Sequence, residues 1–93
     1  MHYKKIQKLQ KETGNDYYQA LINGGVAWKL EGSTGRACME LLRVGACMLP
    51  KQRFRDYYGN LVPSRDDVKK GSKGSYQNSV NYYNEIEYHE CSI

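Results

Sequence analysis

The sequence predicts a mainly α fold: one small domain, residues 1–93, with short helices around one central amphipathic helix, room for a minor strand pair, and a long basic loop. Three observations predict it. Cys38, Leu41, Leu42, Gly45, Met48 and Leu49 recur at helical spacing and draw a full apolar stripe. Glycine steps such as Gly14–Asn15 and Asn23–Gly24–Gly25 break the flanking sequence into short pieces. A chain of 93 residues supports one modest core, burying about 60–65% of the surface its unfolded form exposes.

The elements follow in order. Residues 2–13 read as a helix, because Tyr3, Ile6 and Leu9 share a face and Lys4, Lys5, Lys8 and Lys11 cover the rest. Gly14–Asn15 is a left-handed stop. Asp16 is placed to cap a second helix over 17–23, with Leu21 and Ile22 inward. Val26, Trp28 and Leu30 alternate, which predicts a brief strand or extended leg over 26–30. A loop of small residues, Glu31–Gly32–Ser33–Thr34–Gly35–Arg36, then leads into the central helix, which Pro50 ends. Arg36–Glu40 and Glu40–Arg43 are spaced as surface ion pairs on it. Gly45 within the stripe predicts close approach of another backbone. Ser64 can cap a single turn over 65–68, with Asp66 and Asp67 where the helix dipole favours acids. Residues 69–75 are basic and rich in Gly and Ser, hence a loop. In the tail, Val80, Tyr83 and Glu87 fit a helix, the expectation here, although Ile86 and Tyr88 alternate as a strand would.

Composition narrows the function. No apolar stretch approaches the roughly 18 residues of a membrane span, and no apolar segment follows the basic start 1–11 as a secretory signal requires. Cys38, Cys47 and Cys91 make an odd trio without close pairs, which argues against a disulfide framework and for a reducing, cytoplasmic setting. Zinc would want four ligands; His2, His89 and Cys91 supply no such spacing, and Cys38 and Cys47 read as small core residues. No cofactor is expected. Nine of the eleven aromatics are Tyr, whose polar tip suits interfaces and ligand pockets as well as half-exposed cores. Charge is uneven: +2 over residues 1–35, +5 over 36–75 and −3 over 76–93. A basic centre favours an anionic partner, unless the acidic tail screens it.

Two constellations could carry chemistry. Ser33, Thr34, Gly35 and Arg36 sit where the central helix begins; unpaired N–H groups, two hydroxyls and a guanidinium fork there would suit a phosphate. The simpler alternative is an ordinary helix cap. The middle of the chain gathers Arg53, Arg55, Arg65, Lys69, Lys70 and Lys73 around Tyr57 and Tyr58. Cations hold phosphate and rings stack on a base, so a phosphorylated aromatic ligand fits; a solubilising basic loop is the alternative. At +4 overall the chain is less basic than most sequence-independent nucleic-acid binders, which favours a compact ligand. His2 and His89 stand near the ends with no nucleophile beside them, so catalysis is not expected.

From Ala27 to Ser75 the chain resembles a family of small bacteriophage-encoded proteins. The resemblance rests on Ala27–Trp28–Lys29–Leu30–Glu31–Gly32, Gly35–Arg36, Cys47–Met48–Leu49, Asp56–Tyr57–Tyr58–Gly59–Asn60, Val62–Pro63–Ser64–Arg65 and Lys73–Gly74–Ser75. Gly35, Arg36, Asp56, Tyr57, Tyr58, Arg65 and Lys73 match the family's polar positions. A phage origin implies a non-catalytic accessory protein of the host bacterial cytoplasm that counters host defence by binding. It would sequester a phosphate-bearing ligand such as a nucleotide signal, or block a host defence protein; a small nucleic-acid binder is the third reading. Homo-oligomerisation is expected, because it would bury Tyr-rich surface and enlarge a small core.

Overall fold

The computed structural model describes residues 2–30 and 32–91, with side chains through Glu87. It is mainly helical. Helix α1 spans Tyr3–Thr13; the His2 ring caps it by accepting the Lys4 N–H through Nδ1 at 3.2 Å. Gly14, in the left-handed region at φ 81°, ends α1 and turns the chain directly into α2, Asn15–Asn23. Asp16 therefore sits in the first turn of α2 rather than capping it. The predicted extended leg over 26–30 is a 3₁₀ turn at Val26–Trp28. Gly25 at φ 76° lets the chain curl tightly after α2, so Ala27 rather than Val26 points into the core.

Helix α3, Ser33–Val44, buries Gly35, Cys38 and Leu42. It stops five residues before the sequence pattern does. Gly45 caps it at φ 102°, and residues 45–50 continue as buried, non-helical chain. The stripe beyond Gly45 is apolar because that segment runs through the interior, not because the helix continues. The strand pair lies further on: β1, Phe54–Arg55, pairs antiparallel with β2, Leu61–Val62, in the register Phe54↔Val62 and Arg55↔Leu61. Ser64 closes a turn as expected, its Oγ accepting the Asp66 N–H while Asp67 Oδ2 accepts the Ser64 N–H. Helix α4, Tyr76–Cys91, is the expected tail helix. Among the described residues no helix is long and apolar enough to cross a membrane.

Two apolar clusters flank the 45–50 segment. Ile22, Ala27, Cys38, Leu42, Cys47, Leu49 and Val62 form one. Ile6, Leu9, Met48, Val80 and Tyr83 form the other, so consecutive residues Cys47 and Met48 face different clusters. Fully buried side chains such as Ile6, Ile22 and Leu42 each contribute about 1.5–3 kcal/mol.

Buried backbone outside a helix must find partners for its N–H and C=O groups. Here side chains from across the sequence supply many of them. Ala46 O accepts from Gln10 Nε2 at 3.1 Å and from the Tyr83 hydroxyl at 2.6 Å. Met48 exchanges both backbone groups with the Gln19 amide, each at 2.9 Å. Cys47 N reaches Leu41 O, Leu49 N reaches Gly74 O, and Leu49 O accepts from Arg65 Nε at 2.8 Å. The segment is the keystone that ties α1, α2, α3 and α4 together.

Burial gives this centre a pH dependence. It pushes the Tyr83 hydroxyl from its ordinary 10 and the Cys47 thiol from its ordinary 9 up to about 12 each. The fold thus holds both groups protonated, and a folded pKa above the unfolded one stabilises fully below the unfolded value. That stability is lost as pH rises from near 9 towards 12. The urea midpoint is expected to fall steadily above about pH 9; a midpoint unchanged into the range where free tyrosine ionises would contradict this account.

Candidate functional site

The start of α3 is built by two glycines with different tasks. Gly32 caps the helix at φ 85° and ψ −153° and, as a glycine, brings no side-chain cap bond of its own. Gly35 is buried against the preceding chain: a Cβ on it would lie 2.5 Å from Leu30 O. Close backbone contact, rather than room for an oxyanion, is what Gly35 provides. Arg36, one residue on, is exposed.

Beside this start runs a groove of about 480 Å³. Trp28, Leu30 and Met39 form its apolar wall, and Arg36, Arg43 and Lys73 bring cations to it. Trp28 is held edge-on against Phe54, with ring centroids 5.1 Å apart. Glu40 also lines the groove, but its partner is Arg43, with Arg43 Nε on Glu40 Oε2 at 2.9 Å. The expected Arg36–Glu40 pair does not form; the three-residue spacing to Arg43 wins. The hydrogen bond from Arg43 holds the Glu40 carboxyl below its usual range, with weaker Coulombic help from Arg43 and Lys73. Among the described residues neither Arg36 nor Lys73 forms a salt bridge. Two cations are therefore available to an anion.

A second hollow of about 400 Å³ shares Trp28, Met39 and Lys73 in its lining and adds Asp56, Asn60 and Leu61. Asp56 chiefly fastens the β1–β2 loop, its Oδ1 accepting from Tyr58 N at 2.9 Å and Asn60 N at 2.8 Å. That loop lifts Tyr57 and Tyr58 to an exposed tip, edge-to-face with each other and outside the lining of both hollows.

The nine expected site residues thus divide. Gly35, Arg36 and Lys73 border the groove, Asp56 borders the second hollow, which Lys73 also lines, and Ser33 and Thr34 line neither. Arg65 is elsewhere: it is buried, bonded to Leu49 O, and lies 5.0 Å under the Tyr3 ring. Trp28 and Met39 were missed as site residues, since half-buried apolar residues look like core in a sequence; Trp28, the lone Trp, was the one available signal.

Cys38 and Cys47 are buried and free, as core residues should be, with the Cys38 thiol pushed up by desolvation. No group of His, Cys, Asp and Glu among the described residues could hold a metal; the side chains of His89 and Cys91 lie outside the described residues. No family model matches this chain, and neither a curated protein nor a solved structure matches it.

Proposed function

We propose that this protein is a non-catalytic binder that captures and sequesters a phosphate-bearing small molecule, a nucleotide by class, in the groove along α3. One observation carries the reading: Arg36 and Lys73, far apart in sequence and without salt bridges among the described residues, border the same groove as the apolar face of Trp28 and Met39. Cations answer the phosphate and the indole answers a base, a contact worth about 1–3 kcal/mol for each stacked base. In the setting implied by the resemblance to bacteriophage proteins, the captured nucleotide is a defence signal of the host cell.

Arg36→Ala is the direct test. Arg36 is exposed and bonds no side chain of the described residues, so its removal leaves the fold intact. A charge-assisted contact of roughly 1.5–3 kcal/mol disappears, which is about a 10- to 150-fold loss of affinity. Arg36→Lys restores charge without the fork and recovers only part. Calorimetric titration of adenosine monophosphate and diphosphate into wild type and both variants reads this out. Equal affinity for wild type and folded Arg36→Ala removes the site.

A second reading has its own observation. Tyr57, Tyr58 and Leu61 stand 73%, 68% and 55% exposed at the β1–β2 hairpin and gather apolar surface at one end of it. That tip supports a protein contact, either a host protein that the chain blocks or a second copy of the chain.

A further inference from the structure

A further hollow, about 830 Å³, lies away from the α3 groove and shares no lining residue with it. Arg65 lines it. Its residue surface is only 8% exposed, yet among the described residues no carboxylate pairs with it. A guanidinium cannot shed its charge in a protein, so burial without an acid costs free energy unless something else answers it. Leu49 O takes Nε, and the Tyr3 ring covers one face of the plane at 5.0 Å. With Nε and one face taken, the donors left to Arg65 for a ligand are those of Nη1 and Nη2, a parallel pair with the spacing of an oxyanion. Arg65 lines this hollow and also a smaller one beside Lys70.

The charges around it set the size of the anion. Lys51, Arg53, Arg65 and Asp66 line the hollow, but Arg53 Nη2 is bound to Asp67 Oδ1 at 3.0 Å. Lys51 and Arg65 against Asp66 leave one positive charge in excess. Tyr3, Pro50 and Phe54 give the wall an apolar part, with the polar Asn23 and Gln52 beside it.

We infer that Arg65 and Lys51 form a second ligand site, distinct from the α3 groove, that takes a small organic molecule carrying one singly charged oxyanion on an apolar body. A carboxylate and a phosphodiester share that chemistry. Arg65 binds end-on through its Nη groups, Lys51 adds charge at the rim, and the ring or chain of the ligand lies along Tyr3 and Phe54. The site does not depend on the nucleotide reading of the α3 groove.

The test uses benzoate, its neutral analogue benzamide, and dimethyl phosphate, each titrated into the whole chain in low-chloride buffer while amide and arginine Nε–H resonances are followed. Saturable shifts at Arg65, Lys51 and Gln52 with benzoate or dimethyl phosphate, absent with benzamide, are expected, and the tighter of the two anions identifies the head group. Lys51→Glu, a change of an exposed side chain, is expected to weaken binding about tenfold or more. Arg65→Lys is expected to weaken it as far by removing the fork; if that variant fails to fold, Lys51→Glu decides. Arg36→Ala leaves benzoate affinity unchanged, which separates this site from the α3 groove. No saturable shift with either anion, equal shifts with benzamide, or undiminished binding in Lys51→Glu overturns the assignment.

Discussion

Gly45→Ala is expected to remove a large share of the stability of the fold. A Cβ at this position would lie 2.5 Å from Asn78 O and 3.0 Å from both Asn78 C and Tyr82 Cβ. The first two belong to the backbone of α4, which cannot swing aside as a flexible side chain could. The φ of 102° adds strain of roughly 1–3 kcal/mol for any residue with a Cβ. Displacing α4 also breaks the bonds from Asn78 Nδ2 to Leu42 O and Arg43 O, which satisfy the carbonyls at the end of α3. A total near 4 kcal/mol or more is expected, against the roughly 5–14 kcal/mol typical of a domain this size. Gly59→Ala is the control: its φ is 83°, but nothing lies within 4 Å of its Cβ position, so it bears strain alone. Urea denaturation of both variants reads the difference, and equal losses would contradict the close contact of α3 with α4.

Gln19→Leu is expected to cost about 3–5 kcal/mol, from several buried groups left without partners at about 1–3 kcal/mol each. Gln19 is 4% exposed and makes four bonds: its Oε1 accepts from Gln10 Nε2 and Met48 N, and its Nε2 donates to Asn23 Oδ1 and Met48 O, all at 2.9 Å. Leucine matches the volume but answers neither backbone group of Met48, which sits too deep for water to replace the amide. Gln10→Leu is expected to cost less, since Ala46 O keeps its bond from the Tyr83 hydroxyl. Chemical denaturation should therefore rank Gln19→Leu well below Gln10→Leu. The reverse order, or a loss under about 1 kcal/mol for Gln19→Leu, would show that the 45–50 segment is held by its apolar contacts instead.

Local rules carried far in this chain where the controlling groups are neighbours. Gly14 had to end α1, because a left-handed residue there is strained for anything but glycine. Ser64 with Asp66 and Asp67 had to form a closed turn, because donor and acceptor lie two or three residues apart. The α3 stripe and the tail helix followed from periodicity, and the close approach at Gly45 from a small residue on an apolar face. Arg36 at the start of α3 and the basic character of the middle were legible for the same reason.

What only the tertiary structure decided lies where partners are distant. Continued helix and buried extended chain both place Met48 and Leu49 inside, so the apolar pattern past Gly45 could not choose between them. The choice rests on Gln10, Gln19, Arg65 and Tyr83, which reach the 46–49 backbone across as many as 37 residues. The division of the basic centre is of the same kind. Arg36 and Lys73 meet at one groove and Arg65 is drawn to another, because Leu49 O inside the molecule offers Arg65 a bond that no local spacing announces. Hydrophobic burial is non-directional and shows in a one-dimensional pattern; a buried hydrogen bond is directional, and its partner is fixed only when the chain has folded back on itself.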